Sequence, residues 1–401
     1  MSHNSGENPT LQAFRDHPNQ LACHYSAFQV QDRLLLTGHS HQAWPDCAKV
    51  GQLLAWEDAA EHVDDKWARA RSKAERVQTG FKDLLDDRDG FIALGQNTFE
   101  LVLRFISALP LRNRPRLVSS DSEFHTLRRL LERLEEEGIE VVRVCSRPFD
   151  TFTERLAQAV NARTAAVLTS HVFFDSGIIA GDFSPLSERC AQYGSELLLD
   201  VYHSLNVAPL SVTEQKLHNA YIVGGGYKYC QLGEGNCFLR FPANSQLRPI
   251  ATGWFSEFEH IAQNSKGRTL YGEGAARFAG ATYDPTSHYR AAEVFDFFQQ
   301  QQLTPALLRK ISQHQIAVLL NTFESLGLDP ALIRTDSEVD LQHRAGFLSL
   351  FTPNAAAIHT ALKKRGVLTD YRNERLRFGP APYLSDRQLK DGISALAEVV
   401  N

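Results

Sequence analysis

No Cys-x-x-Cys pair occurs among the six cysteines, Cys23, Cys47, Cys145, Cys190, Cys230 and Cys237. Scattered as they are along 401 residues, they argue against a zinc site or a disulfide scaffold and for reduced thiols. Cationic excess is missing too. The formal net charge is −5, so nothing points to nucleic acid or an anionic membrane as partner, and any anion site must be local. No apolar run approaches the ~20 residues that a membrane span needs. Residues 1–20 are polar and lack the apolar stretch of a signal peptide; a cytoplasmic protein is expected. There is no internal repeat, no low-complexity segment, and no ligand set that would make a metal site.

What is present is globular: hydrophobic residues make up 43% and charged residues 22%. The length suggests two or three domains. Residues 51–86 carry a helical pattern. From Gly90 strand and helix alternate. Strands are expected at Phe91–Leu94, Arg116–Ser119, Glu140–Val144, Ala165–Ser170, Glu196–Asp200, Ala220–Val223 and Cys237–Phe241. Helices are expected between them at Phe99–Leu109, Thr126–Glu137, Thr153–Val160 and Pro185–Tyr193. This order predicts an α/β fold with a mostly parallel seven-stranded sheet, whose ligands bind beyond the carboxyl ends of the strands. The last third reads as a smaller α+β domain, with helices at Tyr289–Gln301, Pro305–Ser325 and Asn354–Arg365 and strands near Phe347–Phe351 and Leu376–Phe378. The division expected is an N-terminal segment 1–50, a large domain 51–270 and a small domain 271–401.

The chemistry concentrates between Leu197 and Phe241. Asp200 ends a buried strand and His203 follows it. Lys228 follows a strand and the run Gly224-Gly225-Gly226, and a second turn, Gly233-Glu234-Gly235, comes next. Singly, such an aspartate is most often a helix cap, such a lysine a surface residue, and such a glycine run a turn. Together they form the set that pyridoxal 5'-phosphate (PLP) requires. A carboxylate keeps the pyridine nitrogen protonated, a lysine with a lowered pKa reaches the aldehyde, and glycines admit the cofactor close to the backbone.

Asp200-Val201-Tyr202-His203 and Tyr227-Lys228-Tyr229 followed by Gly233-Glu234-Gly235 resemble the kynureninase-like branch of the class V aminotransferases, which are fold-type-I PLP enzymes. The resemblance implies that Lys228 is the Schiff-base lysine, Asp200 the partner of the ring nitrogen, His203 a neighbour of the ring, and Tyr227 a phosphate ligand and proton donor. Gly95-Gln96-Asn97-Thr98 opens a helix. The resemblance puts phosphate contacts on Asn97 and Thr98, although either could simply cap the helix. Within Ser122-Glu123-Phe124-His125-Thr126, Phe124 falls on the residue that stacks on the ring; a core Phe is the plainer alternative. Ser170 falls on a further cofactor contact. Gly253-Trp254-Phe255 matches an element whose Trp reaches the phosphate across a dimer interface, so Trp254 implies a homodimer with shared sites. Thr282 falls on a contact in the same region. Asp370-Tyr371-Arg372 with Leu376-Arg377 matches the small-domain motif in which Arg377 would grip the substrate α-carboxylate through its planar fork.

Some segments depart from that pattern. The family's Phe-Pro-Ser/Thr-Asp loop is Phe124-His125-Thr126-Leu127 here, so Leu127 replaces a carboxylate beside the ring. The N-terminal Asp-Gly-Asn-Ser-Leu-Gly element is replaced by Thr37-Gly38-His39-Ser40-His41-Gln42, and a further pocket segment survives only loosely as Glu61–Trp67. The cofactor site is thus expected to be kept and the pocket for the aromatic ketone changed. The implied reaction takes the α-proton onto Lys228 and adds water at the γ-carbonyl, splitting Cβ–Cγ to an acid and alanine. An aminotransferase, epimerase or β-lyase on another amino acid, and a non-catalytic PLP-fold protein, are the other readings. A cysteine desulfurase would need a nucleophilic cysteine in the C-terminal half, and no cysteine follows Cys237.

Overall fold

A computed structural model describes residues 11–262, 267–336 and 339–400. Strand β1 (Leu34–Leu35) is followed by α1 (Cys47–His62) and α2 (Lys66–Leu85). The single helical pattern expected over 51–86 is therefore two helices. The break lies at Val63, whose φ of 49° is in the left-handed region. Hydrophobic spacing continues across that break and no Gly or Pro marks it, so the pattern could not reveal it.

The large sheet comprises β2 (Phe91–Gly95), β3 (Arg116–Ser120), β4 (Glu140–Val144), β5 (Thr164–Ser170), β6 (Glu196–Asp200), β7 (Tyr221–Gly225) and β8 (Cys237–Phe241). Helices α3 (Thr98–Ala108), α4 (His125–Glu136), α5 (Phe152–Ala159) and α6 (Ser184–Tyr193) alternate with the strands up to β6. The strand order is β2-β8-β7-β6-β5-β3-β4. All neighbours are parallel except those of β8, which runs against both β7 and β2. β3, β5, β7 and β8 are buried along their whole length, which is what apolar runs covered by helices on both faces require. Because six strands point one way, the ends of β2, β3, β5, β6 and β7 gather on one edge. Local chemistry fixes the helix starts and stops: the Asn97 side chain accepts the Glu100 N–H at the start of α3, and Gly194 closes α6 in a left-handed turn.

After the sheet come α7 (Thr286–Gln300) and α8 (Pro305–Ser325), the latter capped by Thr304 with Pro305 in its first turn. The C-terminal part holds β9 (Leu348–Phe351), α9 (Ala355–Lys364), β10 (Val367–Leu368), β11 (Asp370–Arg372), β12 (Arg375–Phe378) and α10 (Asp386–Ser394). β11, β12 and β9 form an antiparallel sheet in which Asp370 stands opposite Arg377. β1 pairs with β10, so the N-terminal segment is stitched to the C-terminal region. Beyond β1, the Gly38 N–H donates to Gly379 O and the Gly379 N–H to Leu36 O. Only glycine fits at 379, because a Cβ there would lie 2.1 Å from His39 Nδ1. That contact seats His39 fully buried. Among the described residues no helix is long and apolar enough to cross a membrane.

Candidate functional site

Ser170 and Asp200 are register partners at the ends of β5 and β6, and Lys228 follows β7 by a tight turn through Gly226. The Asp200 carboxylate accepts the Tyr202 N–H at 2.8 Å. It lies deep in the protein, so desolvation raises its pKa, against the Tyr202 N–H bond and the nearby Lys228 charge. The residue nevertheless keeps partial exposure.

The Lys228 amine is buried and lies 2.6 Å from His203 Nε2. Burial brings its pKa down to about 7; Asp200 opposes that shift, and Arg377 and Arg372 reinforce it. A neutral amine at neutral pH is the form that attacks a carbonyl. The same desolvation, with Lys228 and Arg377 nearby, holds His203 well below the usual histidine range, so His203 is a neutral ring. Its Nδ1 is buried without a hydrogen-bond partner among the described residues. The Lys228 nitrogen is ringed by aromatic faces: Tyr202 at 4.8 Å, Phe124 at 5.6 Å and Tyr227 at 5.8 Å from the ring centres.

Phe124, just ahead of α4, is half-buried, in contact edge-on with Phe174. It is thus available to a flat ligand and is not a sealed core Phe. Tyr227 stacks on His41 of the N-terminal segment, with centres 4.8 Å apart and planes 19° from parallel. Desolvation, aided by neighbouring Cys237 and Asp200, pushes its phenol up to about 12, so it keeps its proton near neutrality. Asn97 caps α3 and also donates to Glu100 Oε1, while Thr98 begins the helix. The helix cap offered as the plainer alternative for Asn97 is therefore real, and it takes the Glu100 N–H. The second glycine turn closes over this point, since a Cβ at Gly235 would meet Ser287 and Gln96 at 2.9–3.2 Å.

Arg377 is buried on β12. One Nη donates to Asp370 Oδ2 at 2.8 Å and the other to Phe174 O, while Nε has no partner among the described residues. Asp370 also holds Arg372 at 2.7 Å. The two arginines and one carboxylate leave one positive charge in surplus, suited to a single carboxylate ligand. The Phe347 ring joins this corner to the lysine: its centre is 4.7 Å from His39, 5.9 Å from His203 and 5.6 Å from Arg377.

Two expected residues stand apart. Trp254 donates Nε1–H to Thr282 Oγ1 at 3.2 Å, and both are exposed. No hydrogen bond or ring contact among the described residues links this pair to Lys228. Trp67, from the loosely matched pocket segment, packs on Phe255 and Tyr283 beside them. Leu127 is buried in the apolar core under α4. Ser170 is at the expected place, but its hydroxyl donates to Glu123 Oε2 at 2.6 Å. A ligand contact through that hydroxyl is then limited to its lone pairs. Glu123, Phe347, Phe174 and Tyr202 line the site without having been expected there; each comes from a loop or turn whose burial no periodicity reveals.

The buried carboxylate, the low-pKa amine and the flat-ring walls fit the pyridine, aldehyde and faces of PLP on chemical grounds. Residues 308–396, which contain Asp370 and Arg377, match the family model "Kynureninase C-terminal domain". The kynureninase of Pseudomonas fluorescens is 25% identical over 389 residues, covering 92% of this chain and 89% of that protein. In structure the chain is similar to the apo cysteine desulfurase of Thermococcus onnurineus NA1, with TM-score 0.80 and 14% identity over 96% of this chain and 98% of that one. It is equally similar to a C-DES mutant with glycine covalently linked to its PLP cofactor, with TM-score 0.79 and 13% identity over 94% and 99%. The chain is thus similar to kynureninases in sequence, and it has the α/β fold of the fold-type-I PLP-dependent enzymes.

Proposed function

We propose that this protein is a PLP-dependent hydrolase of the kynureninase type, cleaving the Cβ–Cγ bond of a β-acyl-alanine to an acid and alanine. The observation that carries the proposal is the buried Lys228 amine, poised near pH 7, with Asp200 on one side and the Asp370-held Arg377 on the other. When bound, PLP supplies an electron sink that lets the α-proton leave and activates the γ-carbonyl. Lys228 attaches the cofactor and carries the α-proton. Asp200 keeps the ring nitrogen protonated. Phe124 and His203 would flank the ring, with Ser170 beside it. Asn97, Thr98 and Tyr227 hold the phosphate at the start of α3. Arg377 grips the substrate carboxylate through the N–H groups that Asp370 and Phe174 leave free. Tyr227, protonated near neutrality, donates a proton as the Cβ–Cγ bond breaks.

The site is completed by a second copy of the chain. Trp254 and Thr282 form a bonded pair that no hydrogen bond or ring contact among the described residues links to their own lysine, and Trp56 is 73% and Trp254 44% exposed. Val50, Leu53 and Trp56 place an apolar stripe on the outer face of α1, as a homodimer interface requires.

The altered N-terminal element favours a second reading on the same cofactor. His39 and His41, in place of the family's residues, stand against Phe347 and Tyr227, so an aminotransferase, epimerase or β-lyase on another amino acid would keep every cofactor residue and differ in the pocket. Addition of a 2-oxo acid separates the hydrolase from the aminotransferase. A hydrolase releases alanine without it, whereas a transferase stalls after one turnover until the acceptor is supplied. Product analysis separates the hydrolase from the others, since an epimerase returns the D-amino acid and a β-lyase releases a 2-oxo acid with ammonia.

A further inference from the structure

We propose that Glu123 is the positioning residue that fixes Ser170 and the charge beside Asp200, replacing the carboxylate that Leu127 lacks. This rests on PLP binding at Asp200 as proposed above. Glu123 comes from the loop between β3 and α4, directly before Phe124. It is only 4% exposed. Its carboxyl takes Ser120 Oγ at 2.5 Å, Ser170 Oγ at 2.6 Å and the Ser170 N–H at 3.2 Å.

Ser170 is the register partner of Asp200, so Glu123 is bonded to the residue beside the carboxylate that would face the ring nitrogen, close enough for that charge to act on it. Leu127, one turn into α4, points into the apolar core and cannot supply a charge. Glu123, on the other side of Phe124 in sequence from Leu127, is a carboxyl that this chain does hold against the register partner of Asp200.

Among the described residues no cation is bonded to Glu123. The charged group that acts on it is Asp200 on β6, itself opposed by Lys228 after β7. His171, next to Ser170 on β5, is kept neutral by burial. Asp121, on the same loop as Glu123, is tied to the Ser146 N–H. Desolvation raises Glu123 to about 7, with Asp200 adding to the rise and the serine bonds opposing it. Two neighbouring carboxyls cannot both ionise cheaply in such surroundings. Below pH 7 Glu123 carries a proton. Above it, its negative charge raises the proton affinity of whatever base Asp200 faces, here the ring nitrogen.

The test measures the dissociation constant of PLP from the apo protein by quenching of intrinsic fluorescence between pH 6 and 8.5, in wild type and Glu123→Gln. The amide keeps an acceptor for Ser170 and removes the charge. The expected result is a ratio of the two constants near one at pH 6 that grows to about tenfold by pH 8.5, tenfold being one pK unit. A ratio that is constant across pH would mean a merely structural role and would overturn the proposal. Ser120→Ala offers a second handle if Glu123→Gln fails to fold. It removes one hydrogen bond to the ionised form, so the midpoint of the pH dependence rises; an unmoved midpoint contradicts the proposal. Wild type that binds no PLP at any pH would overturn both this and the cofactor reading, whereas binding with a flat ratio removes Glu123 alone.

Discussion

Lys228 Nζ lies 2.6 Å from His203 Nε2 in a hydrogen bond, while the ring's Nδ1 has no partner among the described residues. Both side chains are buried. Burial disfavours the charged form of each, and for the lysine that has a measurable consequence for stability.

In the folded protein Lys228 gives up its proton at about 7, whereas in the unfolded chain it keeps it to ~10.4. Between those limits the unfolded state binds more protons, so this group makes stability rise with pH. Below 7 the cost of burying the charged amine is felt in full. Lys228→Met removes the term. Thermal melts of apo protein are expected to find the variant more stable than wild type at pH 6–7, with the gap shrinking towards pH 10. A gap of constant size would mean that the amine is not desolvated.

Arg377→Gln is expected to raise KM for the amino-acid substrate roughly 100-fold and to lower kcat much less, since the lost fork binds a carboxylate present throughout the reaction. Asp370 keeps Arg372 as partner at 2.7 Å, so melting should fall only modestly. An unchanged KM would move the carboxylate site elsewhere.

Light scattering on the holoenzyme is expected to give a dimer, and Trp56→Glu to shift it towards monomer. Trp254→Ala should keep the dimer but release PLP faster on gel filtration. A monomer that retains PLP and turns over would refute the shared site.

At the far end of β8, Arg240 and Asp87 form an ion pair at 2.6 Å with both side chains 1% exposed. Arg240 also donates to the carbonyls of Leu217, His218 and Ala220. Asp87→Ala leaves that guanidinium uncompensated and is expected to cost about 3–5 kcal/mol, with activity per folded molecule unchanged. A loss below about 1 kcal/mol in urea unfolding would show that solvent reaches the pair.

The limits of several strands and of one long helix were the most legible part of the sequence. Glu196–Asp200, Cys237–Phe241 and Pro305–Ser325 run as their patterns indicate, because apolar runs bounded by Gly, Pro or a cap leave little choice of limits. The reversal of β8 was not legible, since strand direction leaves no mark on composition. The Val63 break was hidden for want of a breaker residue. Lys228, Asp200 and His203 could be singled out because coupled chemistry shows in spacing, and the structure brings them together. Glu123 stood in plain view beside Phe124, but its burial depends on the loop after β3 folding back over Ser170, a tertiary contact that no local pattern encodes. The same holds for His39, whose burial rests on Gly379, far away in the chain.

The most direct test of the central claim is a spectrophotometric assay of the purified, PLP-loaded protein with L-kynurenine and 3-hydroxy-L-kynurenine, scoring aromatic acid and alanine, with Lys228→Ala as control. The account predicts both products in equal amounts from wild type and neither from the variant. PLP bound through Lys228 with no aromatic acid or alanine from either substrate would contradict the hydrolase assignment and turn attention to the pocket formed by His39, His41 and Leu127.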